Sequence, residues 1–385
     1  MTGIEPILDK VRSIANGVIA EESKEVDLNY KWPEESLKAI QGAGLGGLVV
    51  SKDLGGHGLG LYSIIKVCEL IGEKCASASM CLGMHYVASA VIQAKATSYH
   101  KDKFLRPIAK GEHLTTLALS EPGSGAHFYY PQTSLTSLSD EFYKVNGEKT
   151  FVTNGGYADS YVLSTLAVDP EAPPNEFSCF VLEASADNLQ WGKDWRGLGM
   201  RGNSSRSLQL KDVVVPAKNL LGEKGDQLWY MFNVVAPYFL IAMSGTYLGI
   251  AQAALNEAVN HITKRSYSHS GTGLADVPVL QHRLGQLWSK LERTKQLVYH
   301  AAHEGDKGEF RSISYIMSAK AEVAHCAVDL ANEAMTLLGG MAYRDNSRIE
   351  ILLRDARAAH IMAPTTDILY TWLGRAVLGL PFLGD

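Results

Sequence analysis

The spacing of apolar residues changes twice along the 385-residue chain, and this change limits the possible folds most strongly. Up to about residue 113, apolar residues recur every three or four positions, the period of an amphipathic helix. Residues 114–226 instead contain runs in which apolar and polar residues alternate, as in half-buried strands. From residue 227 the helical period returns. The sequence therefore predicts a mainly helical α+β protein with domains at 1–113, 114–226 and 227–385.

Residues 142–153 form two alternating runs joined by Asn146 and Gly147, a pair typical of two-residue hairpin turns. The sequence therefore predicts a β-hairpin with its turn at this pair. Further strands are predicted at 161–168, 177–184 and 207–215.

Residues 228–255 contain no charged side chain and are long enough to cross a membrane. However, Asn233, Pro237 and Gln252 interrupt the apolar run, and no second run of this kind accompanies it. A helix buried inside a bundle is therefore the preferred interpretation.

Charge and cysteine content argue against several classes of protein. A net charge of -5 with scattered Lys and Arg offers no positive surface for nucleic acid or anionic lipid. The five cysteines form no CxxC pair, and an odd number does not suggest a disulfide framework. The N-terminal residues mix both charge signs and lack a secretory pattern. We therefore expect a cytoplasmic protein that binds neither nucleic acid nor membrane.

Two local patterns resemble binding motifs but lack the context that those motifs need. Gly197, Gly199 and Gly202 match GxGxxG, yet a strand-like run follows them instead of the helix of a Rossmann site. His300 and His303 are spaced like metal ligands, but no HExxH and no obvious third ligand accompanies them. We therefore predict neither a Rossmann dinucleotide site nor a metal site.

Residues 117–128 (LALSEPGSGAHF) combine a strand-like run with a glycine-containing turn. Because glycine has no Cβ, backbone N–H groups of such a turn can approach a flat ring or a phosphate closely. An ordinary polar loop explains the composition equally well. Its location at the first strand of the β-rich part favours a ligand-binding turn.

Four motifs follow one another along the chain: LSEPGSG at 119–125, KTFVTNGGYAD at 149–159, LKDVVVPAKNLLGEKG at 210–225, and LLGGMAY with RIEILLRDAR within 337–357. In type and order they resemble the motifs of the acyl-CoA dehydrogenase family. The resemblance implies an N-terminal helical domain, a middle β-barrel-like domain and a C-terminal four-helix bundle. It also implies FAD as cofactor, an acyl thioester as substrate, and a homodimer or homotetramer.

The resemblance also implies which residues bind FAD. The positions that correspond to flavin-ring contacts are Leu117, Leu119, Ser120, Gly125, Phe151 and Thr153. Those near the pyrophosphate, the nucleotide end and a neighbouring subunit's cofactor are Arg265, Thr365, Asp367, Gly339 and Gly340. Departures at Ser268, Pro278 and Thr336 indicate a different arrangement at the adenosine end.

At the catalytic position, the sequence differs from the family pattern. Where the family has Glu-Gly-Thr, nine residues after the first Arg of RDAR, this chain has Ala363, Pro364 and Thr365. In the usual mechanism that carboxylate removes the α-proton of a thioester while a hydride leaves the β-carbon for the flavin. The base position that some members use instead corresponds to Phe239 and Leu240, which cannot accept a proton. Because a positioned base contributes roughly 10²–10⁴-fold, standard desaturation is predicted to be poor.

His85 is the residue that we predict to be catalytic, because the resemblance places its helix beside the acyl pocket and neutral imidazole accepts protons. His127, directly after the turn, replaces a usual Asp and is a second candidate. Asp367 and Tyr370 are acids on the final helix. The predicted substrate-binding residues are Ala126, Phe239, Leu240 and Ala363.

These observations predict a FAD-dependent oxidoreductase that acts on an acyl-CoA or carrier-bound thioester by an atypical route. Two reactions fit the sequence. One is desaturation with a non-standard base, as in a dehydrogenase, and the other is O₂-dependent flavin oxygenation, as in a monooxygenase. The electron acceptor is then an electron-transferring flavoprotein or O₂. The alternative is a non-catalytic relative that binds FAD or acyl-CoA and has a structural role.

Overall fold

The computed structural model describes residues 3–169, 171–173, 175–309 and 311–381. Within these residues, strands occur only between Thr115 and Leu221, and helices precede and follow them. The predicted mainly helical α+β fold of three parts is therefore confirmed.

The N-terminal part contains seven α-helices within the described residues. They are α1 (Glu5–Ile14), α2 (Ala20–Leu28), α3 (Glu34–Gly42), α4 (Leu61–Gly72), α5 (Ala76–Ala94), α6 (Ser98–His100) and α7 (Arg106–Lys110). Helix α5 is buried almost throughout, and its many Ala, Ser and Gly residues allow neighbouring helices to approach closely.

The β-rich part contains two four-stranded sheets. The first has the order β1 (Thr115–Ala118), β4 (Ser160–Thr165), β5 (Ser178–Glu183), β8 (Leu220–Leu221). The second has the order β2 (Ser134–Ser137), β3 (Phe142–Val152), β7 (Arg206–Pro216), β6 (Leu189–Trp191). Strand β1 pairs with β4 in parallel, and the other pairs are antiparallel. The strands predicted at 161–168, 177–184 and 207–215 are confirmed as β4, β5 and β7.

The predicted hairpin at Asn146 and Gly147 is wrong, because β3 continues through this pair and its register against β7 shifts there. The Asn146 side chain accepts a hydrogen bond from Asp212 N on β7 at 2.7 Å, which satisfies it within the sheet. Glycine is needed for a close approach, since a Cβ on Gly147 would lie 2.6 Å from Thr133 Oγ1. The pair therefore marks a β-bulge, which local sequence does not distinguish from a turn.

The C-terminal part consists of α8 (Gln227–Tyr230), α9 (Ala236–Lys264), α10 (Pro278–Lys307), α11 (Ser312–Leu338), α12 (Arg348–Ile361) and α13 (Thr366–Val377). The stretch Gln227–Lys264 is apolar and long enough to span a membrane, but 83% of its most apolar window is buried inside the protein. The interpretation as a core helix is therefore confirmed.

Helix α9 lies directly against α4. A Cβ on Gly245 would lie 2.7 Å from Ile65 O, and one on Gly249 would lie 2.4 Å from Glu69 O. Only glycine permits this separation of the two backbones. The N-terminal and C-terminal helices thus share one apolar interior.

Candidate active site

The glycine turn (residues 120–125) follows β1 and is fastened by the carboxylate of Glu121. This carboxylate accepts hydrogen bonds from Thr133 Oγ1 at 2.6 Å and from the backbone N–H groups of Gln132 and Thr133 at 2.5 and 3.2 Å. Lys149 Nζ donates to Glu121 Oε1 at 2.5 Å and to Ser164 O at 2.6 Å. Burial lowers the pKa of Lys149, and the adjacent Glu121 opposes that shift. The pair thereby connects the turn to both sheets.

Phe151 at the end of β3 combines backbone strain with an exposed ring. Its φ is 53°, a region that bulky residues rarely adopt, and its side chain is 66% exposed. Such strain costs on the order of 1–3 kcal/mol and is concentrated at ligand sites. The ring meets Trp195 edge to face, with centroids 6.2 Å apart. Phe151 therefore presents a flat apolar surface beside the glycine turn.

The structure brings the predicted flavin-ring residues together. Thr150 N donates to Ser120 O at 2.7 Å, which joins the turn to the strand segment that carries Phe151. Thr153 is buried, and its carbonyl oxygen accepts a hydrogen bond from Thr116 Oγ1 at 3.0 Å. Gly125 has φ of 55° and open space where a Cβ would point. Leu117 and Leu119 lie on β1 and directly after it.

The other predicted cofactor residues lie at separate helix ends. Arg265 follows α9, while Gly339 and Gly340 follow α11 and are exposed. Thr365 caps α13 by accepting a hydrogen bond from Ile368 N at 3.5 Å, and Asp367 lies in the first turn of that helix. Their assignment to the pyrophosphate (Arg265), to the nucleotide end (Thr365 and Asp367) and to a neighbouring subunit's FAD (Gly339 and Gly340) remains a prediction.

A cavity of about 870 Å³ lies where α9 begins, between the N-terminal part and the connection from α10 to α11. Of the predicted substrate-binding residues, only Leu240 lines it. Phe239 packs partly buried against the core, and Ala126 and Ala363 are not among the lining residues. The apolar wall is formed by Phe232, Leu240, Ile313, Ile316, Met317 and Trp372.

Ala363 lies in the 359–365 segment, which a buried lysine holds. Lys320 Nζ on α11 donates to the carbonyl oxygens of Ala359, Met362 and Pro364 at 2.8, 3.4 and 2.9 Å. An ammonium group has three N–H donors, which match these three acceptors. Lys320 is fully buried and forms no salt bridge with a described carboxylate, and burial lowers its pKa to about 7. The segment is thus well ordered but offers no proton acceptor at position 363.

Lys320 is expected to make stability depend on pH above neutrality. Its folded-state pKa of about 7 lies below the ordinary lysine value of about 10.4. The unfolded chain therefore binds more protons between these values, and stability rises with pH there, by at most about 1.4 kcal/mol per pH unit. Urea unfolding at pH 7, 8 and 9 should show a steeper rise for wild type than for Lys320→Met. Equal slopes would contradict this.

His85 does not have the catalytic role predicted for it. Its side chain is 1% exposed, Nδ1 accepts a hydrogen bond from Thr115 N at 3.1 Å, and Nε2 donates to Gly46 O at 3.1 Å. Burial lowers the pKa of His85 to about 4, so the ring stays neutral. His85 connects α5, β1 and the loop after α3 and is structural.

Replacing His85 by leucine is therefore expected to reduce stability without changing chemistry. It would leave the Thr115 N–H and the Gly46 carbonyl buried and unpaired, at about 1–3 kcal/mol each. Chemical denaturation measures the loss, and the rate of flavin reduction per folded molecule measures the chemistry. A normal stability with a lost rate would restore the catalytic assignment.

Comparison with known protein families identifies the family of this chain. The descriptions "Acyl-CoA dehydrogenase, N-terminal domain", "middle domain" and "C-terminal domain" match residues 4–112, 116–213 and 240–378. The chain belongs to the acyl-CoA dehydrogenase family. It is a flavin-dependent oxidoreductase, and its cofactor is FAD.

Relatives cover nearly the whole chain. An acyl-CoA dehydrogenase of Bacillus subtilis is 30% identical and matches 96% of each chain. The short-chain-specific acyl-CoA dehydrogenase of Clostridium acetobutylicum is 28% identical, over 94% of this chain and 95% of that one. Butyryl-CoA dehydrogenase from Megasphaera elsdenii has a TM-score of 0.92 at 26% identity, covering 98% and 99%.

Sequence reasoning missed Lys320 and, in the wall of the cavity, Phe232 and Trp372. Lys320 stands between Ala319 and Ala321 on the buried face of α11, and all three are fully buried. A lysine in an apolar helical stripe is a detectable signal, because lysine is rarely buried without a partner. Trp372 on α13 carries no such signal, since an aromatic residue at helical spacing usually indicates core packing.

Proposed function

We propose that this protein uses FAD to oxidise or reduce the Cα–Cβ bond of an acyl thioester without a carboxylate at position 363. The observation that carries the proposal is Phe151, a strained and exposed aromatic ring beside an open glycine turn. A flat ring is the ligand that such a surface suits. The 359–365 segment is held by Lys320 and contains Ala363 where the family has its base.

The described residues fit FAD. Phe151, Thr153 and the open space at Gly125 would receive the ring system, and backbone N–H groups of the glycine turn would donate to its polar atoms. Arg265 would meet a phosphate, which arginine binds in a bidentate manner. The flavin supplies a two-electron hydride acceptor or donor. The chain's own task is to orient the thioester, exclude water and transfer the proton at Cα.

A bound-cofactor spectrum with anaerobic thioester titration tests the proposal. We expect a yellow protein whose absorbance bleaches slowly with a saturated acyl-CoA, or whose reduced form is reoxidised by an unsaturated one. A colourless protein that gains no thermal stability from FAD would contradict it. A yellow protein that thioesters stabilise but never bleach would support the non-catalytic alternative instead.

A second measurement identifies the electron acceptor. We propose an electron-transferring flavoprotein, because the family relatives with high coverage are named dehydrogenases. Reduced protein mixed rapidly with O₂ should then reoxidise slowly. A fast transient typical of a flavin peroxide would favour the oxygenase form.

We also propose that the protein works as a homodimer or homotetramer. Several large apolar side chains of the C-terminal part are exposed in the single chain, which is unusual for a surface that stays in water. They include Trp288, Ile361, Val377 and Leu378. Analytical ultracentrifugation tests this, and a monomer at micromolar concentration would contradict it.

A further inference from the structure

The proposed function leaves one chemical role without a residue: the group that takes or returns the proton at Cα. Position 363 is alanine, the His85 nitrogens both bond to backbone, and Lys320 directs its three N–H groups at carbonyls. None of these side chains offers a lone pair to a substrate.

His127 lies directly beyond the glycine turn, and its backbone is held there. His127 N donates to Ser124 O at 3.0 Å, and Tyr130 N donates to His127 O at 3.0 Å. The side chain is exposed. The ring is therefore carried by the same turn whose glycine-lined surface suits the flavin.

The imidazole of His127 is oriented by a buried phenol. His127 Nδ1 and Tyr129 Oη are 2.8 Å apart, with the two rings edge to face. When Nδ1–H donates to the phenol oxygen, the lone pair of the neutral ring lies on Nε2. Nε2 has no hydrogen-bond partner among the described residues. A base whose other nitrogen is fixed by a third group is the usual arrangement of acid–base catalysis.

Tyr129 is itself immobilised, and its neighbours line the cavity. It is 3% exposed, and its ring centroid lies 5.4 Å from that of Phe232 and 6.3 Å from that of Trp372. Gln227 Nε2 donates to its carbonyl oxygen at 3.2 Å. Phe232 and Trp372 belong to the cavity wall. Neither His127 nor Tyr129 lines the 870 Å³ cavity itself, but the ring of Tyr129 links the glycine turn to two residues of its wall.

We propose that His127 is the acid–base residue of this site and that Tyr129 positions it. This inference rests on the proposed function. When a saturated thioester is oxidised, Nε2 would take the proton from Cα, and the oxidised flavin would supply the acceptor for the hydride that leaves Cβ. Two C–H bonds break and a carbon–carbon double bond forms. Since His127 is exposed, the imidazolium releases the proton to solvent; reduction runs these transfers in reverse.

The kinetic test compares anaerobic flavin bleaching by a saturated acyl-CoA in matched variants. We expect His127→Gln to be slower by about 100-fold, within the range of a positioned acid–base group. His127→Ala should regain part of its rate with added imidazole, a rescue that a structural role would not show. Tyr129→Phe keeps the packing but loses the hydroxyl, and it should slow bleaching less. His300→Gln, on the exposed face of α10, is the control and should be unchanged.

A chemical test does not depend on turnover. Diethyl pyrocarbonate acylates accessible neutral imidazoles, and mass spectrometry locates the products. In the FAD-bound protein, His127 should be modified and then protected by a saturating acyl-CoA, while His300 reacts equally in both samples. Equal modification of His127 with and without thioester would overturn the proposal.

The outcomes separate the two levels of inference. Wild type that bleaches while His127→Gln bleaches at the same rate overturns the role of His127 and leaves the proposed function intact. Wild type that binds no FAD overturns both. In an Ala363→Glu background, His127→Gln should lower the bleaching rate only slightly, because the new carboxylate takes the proton. A full loss of the bleaching rate in that background would indicate that His127 is a structural residue.

Discussion

In a His127→Gln background, the double replacement Ala363→Glu, Pro364→Gly is expected to accelerate flavin bleaching by saturated acyl-CoA thioesters by about 10²–10⁴-fold. This is the contribution of a positioned general base, on the order of 3 to 5 kcal/mol of activation free energy. The surrounding frame is already present, since Lys320 holds the carbonyl groups of Ala359 and Pro364 at 2.8 and 2.9 Å. A glycine at 364 keeps that carbonyl.

The matched control is Ala363→Gln, Pro364→Gly, which has the same side-chain size but no basic carboxylate. Single-wavelength anaerobic stopped flow at the flavin absorbance maximum measures both variants. Equal rates for the Glu and Gln variants would show that position 363 does not face the substrate, and the correspondence with the family's base would be rejected.

Lys149→Met is expected to destabilise the protein by about 3–5 kcal/mol and to release FAD. The substitution leaves the carboxylate of Glu121 buried without its counter-ion, and breaking a buried pair costs about this much. Because Glu121 also fastens the glycine turn to Thr133, the flavin surface should loosen together with the fold. Urea unfolding gives the free energy, and released flavin fluorescence gives the cofactor loss.

The double variant Glu121→Gln, Lys149→Met provides the control for charge. It removes both charges, so its free energy of unfolding should be higher than that of Lys149→Met. The part of the destabilisation that comes from lost packing should remain. A double variant as unstable as the sum of the single variants would mean that the pair contributes no coupling. The hydrogen bonds of residue 121 to Gln132 and Thr133 would then hold the turn without help from Lys149.

How far sequence predicts this protein depends on whether a signal is local or tertiary. The helical and alternating periods are local, and they correctly place β4, β5, β7 and the long buried α9. The Asn146–Gly147 pair is also local, but β2 and β7 pair with β3 on both sides and override it. A turn preference of one dipeptide is small compared with two ladders of backbone hydrogen bonds.

The difference between local and tertiary signals also explains which residues of the candidate site could be predicted from the sequence. Phe151 and the glycine turn each lie in a short continuous motif, so the family resemblance identifies both. The structure adds that Phe151 has a strained φ of 53°. His85 and His127 are indistinguishable by sequence chemistry. Only tertiary contacts separate them: Gly46 and Thr115 occupy both nitrogens of His85, whereas Tyr129 occupies one nitrogen of His127.

The glycines of α9 have a consequence for how the molecule holds together. Gly245 and Gly249 press α9 onto α4, although the whole β-rich part separates these helices along the chain. Helices from the first and last thirds of the polypeptide therefore pack against each other, although the strands lie between them in the sequence. A protease cut within the β-rich part should leave two fragments that co-purify, and neither fragment should remain soluble when produced without the other.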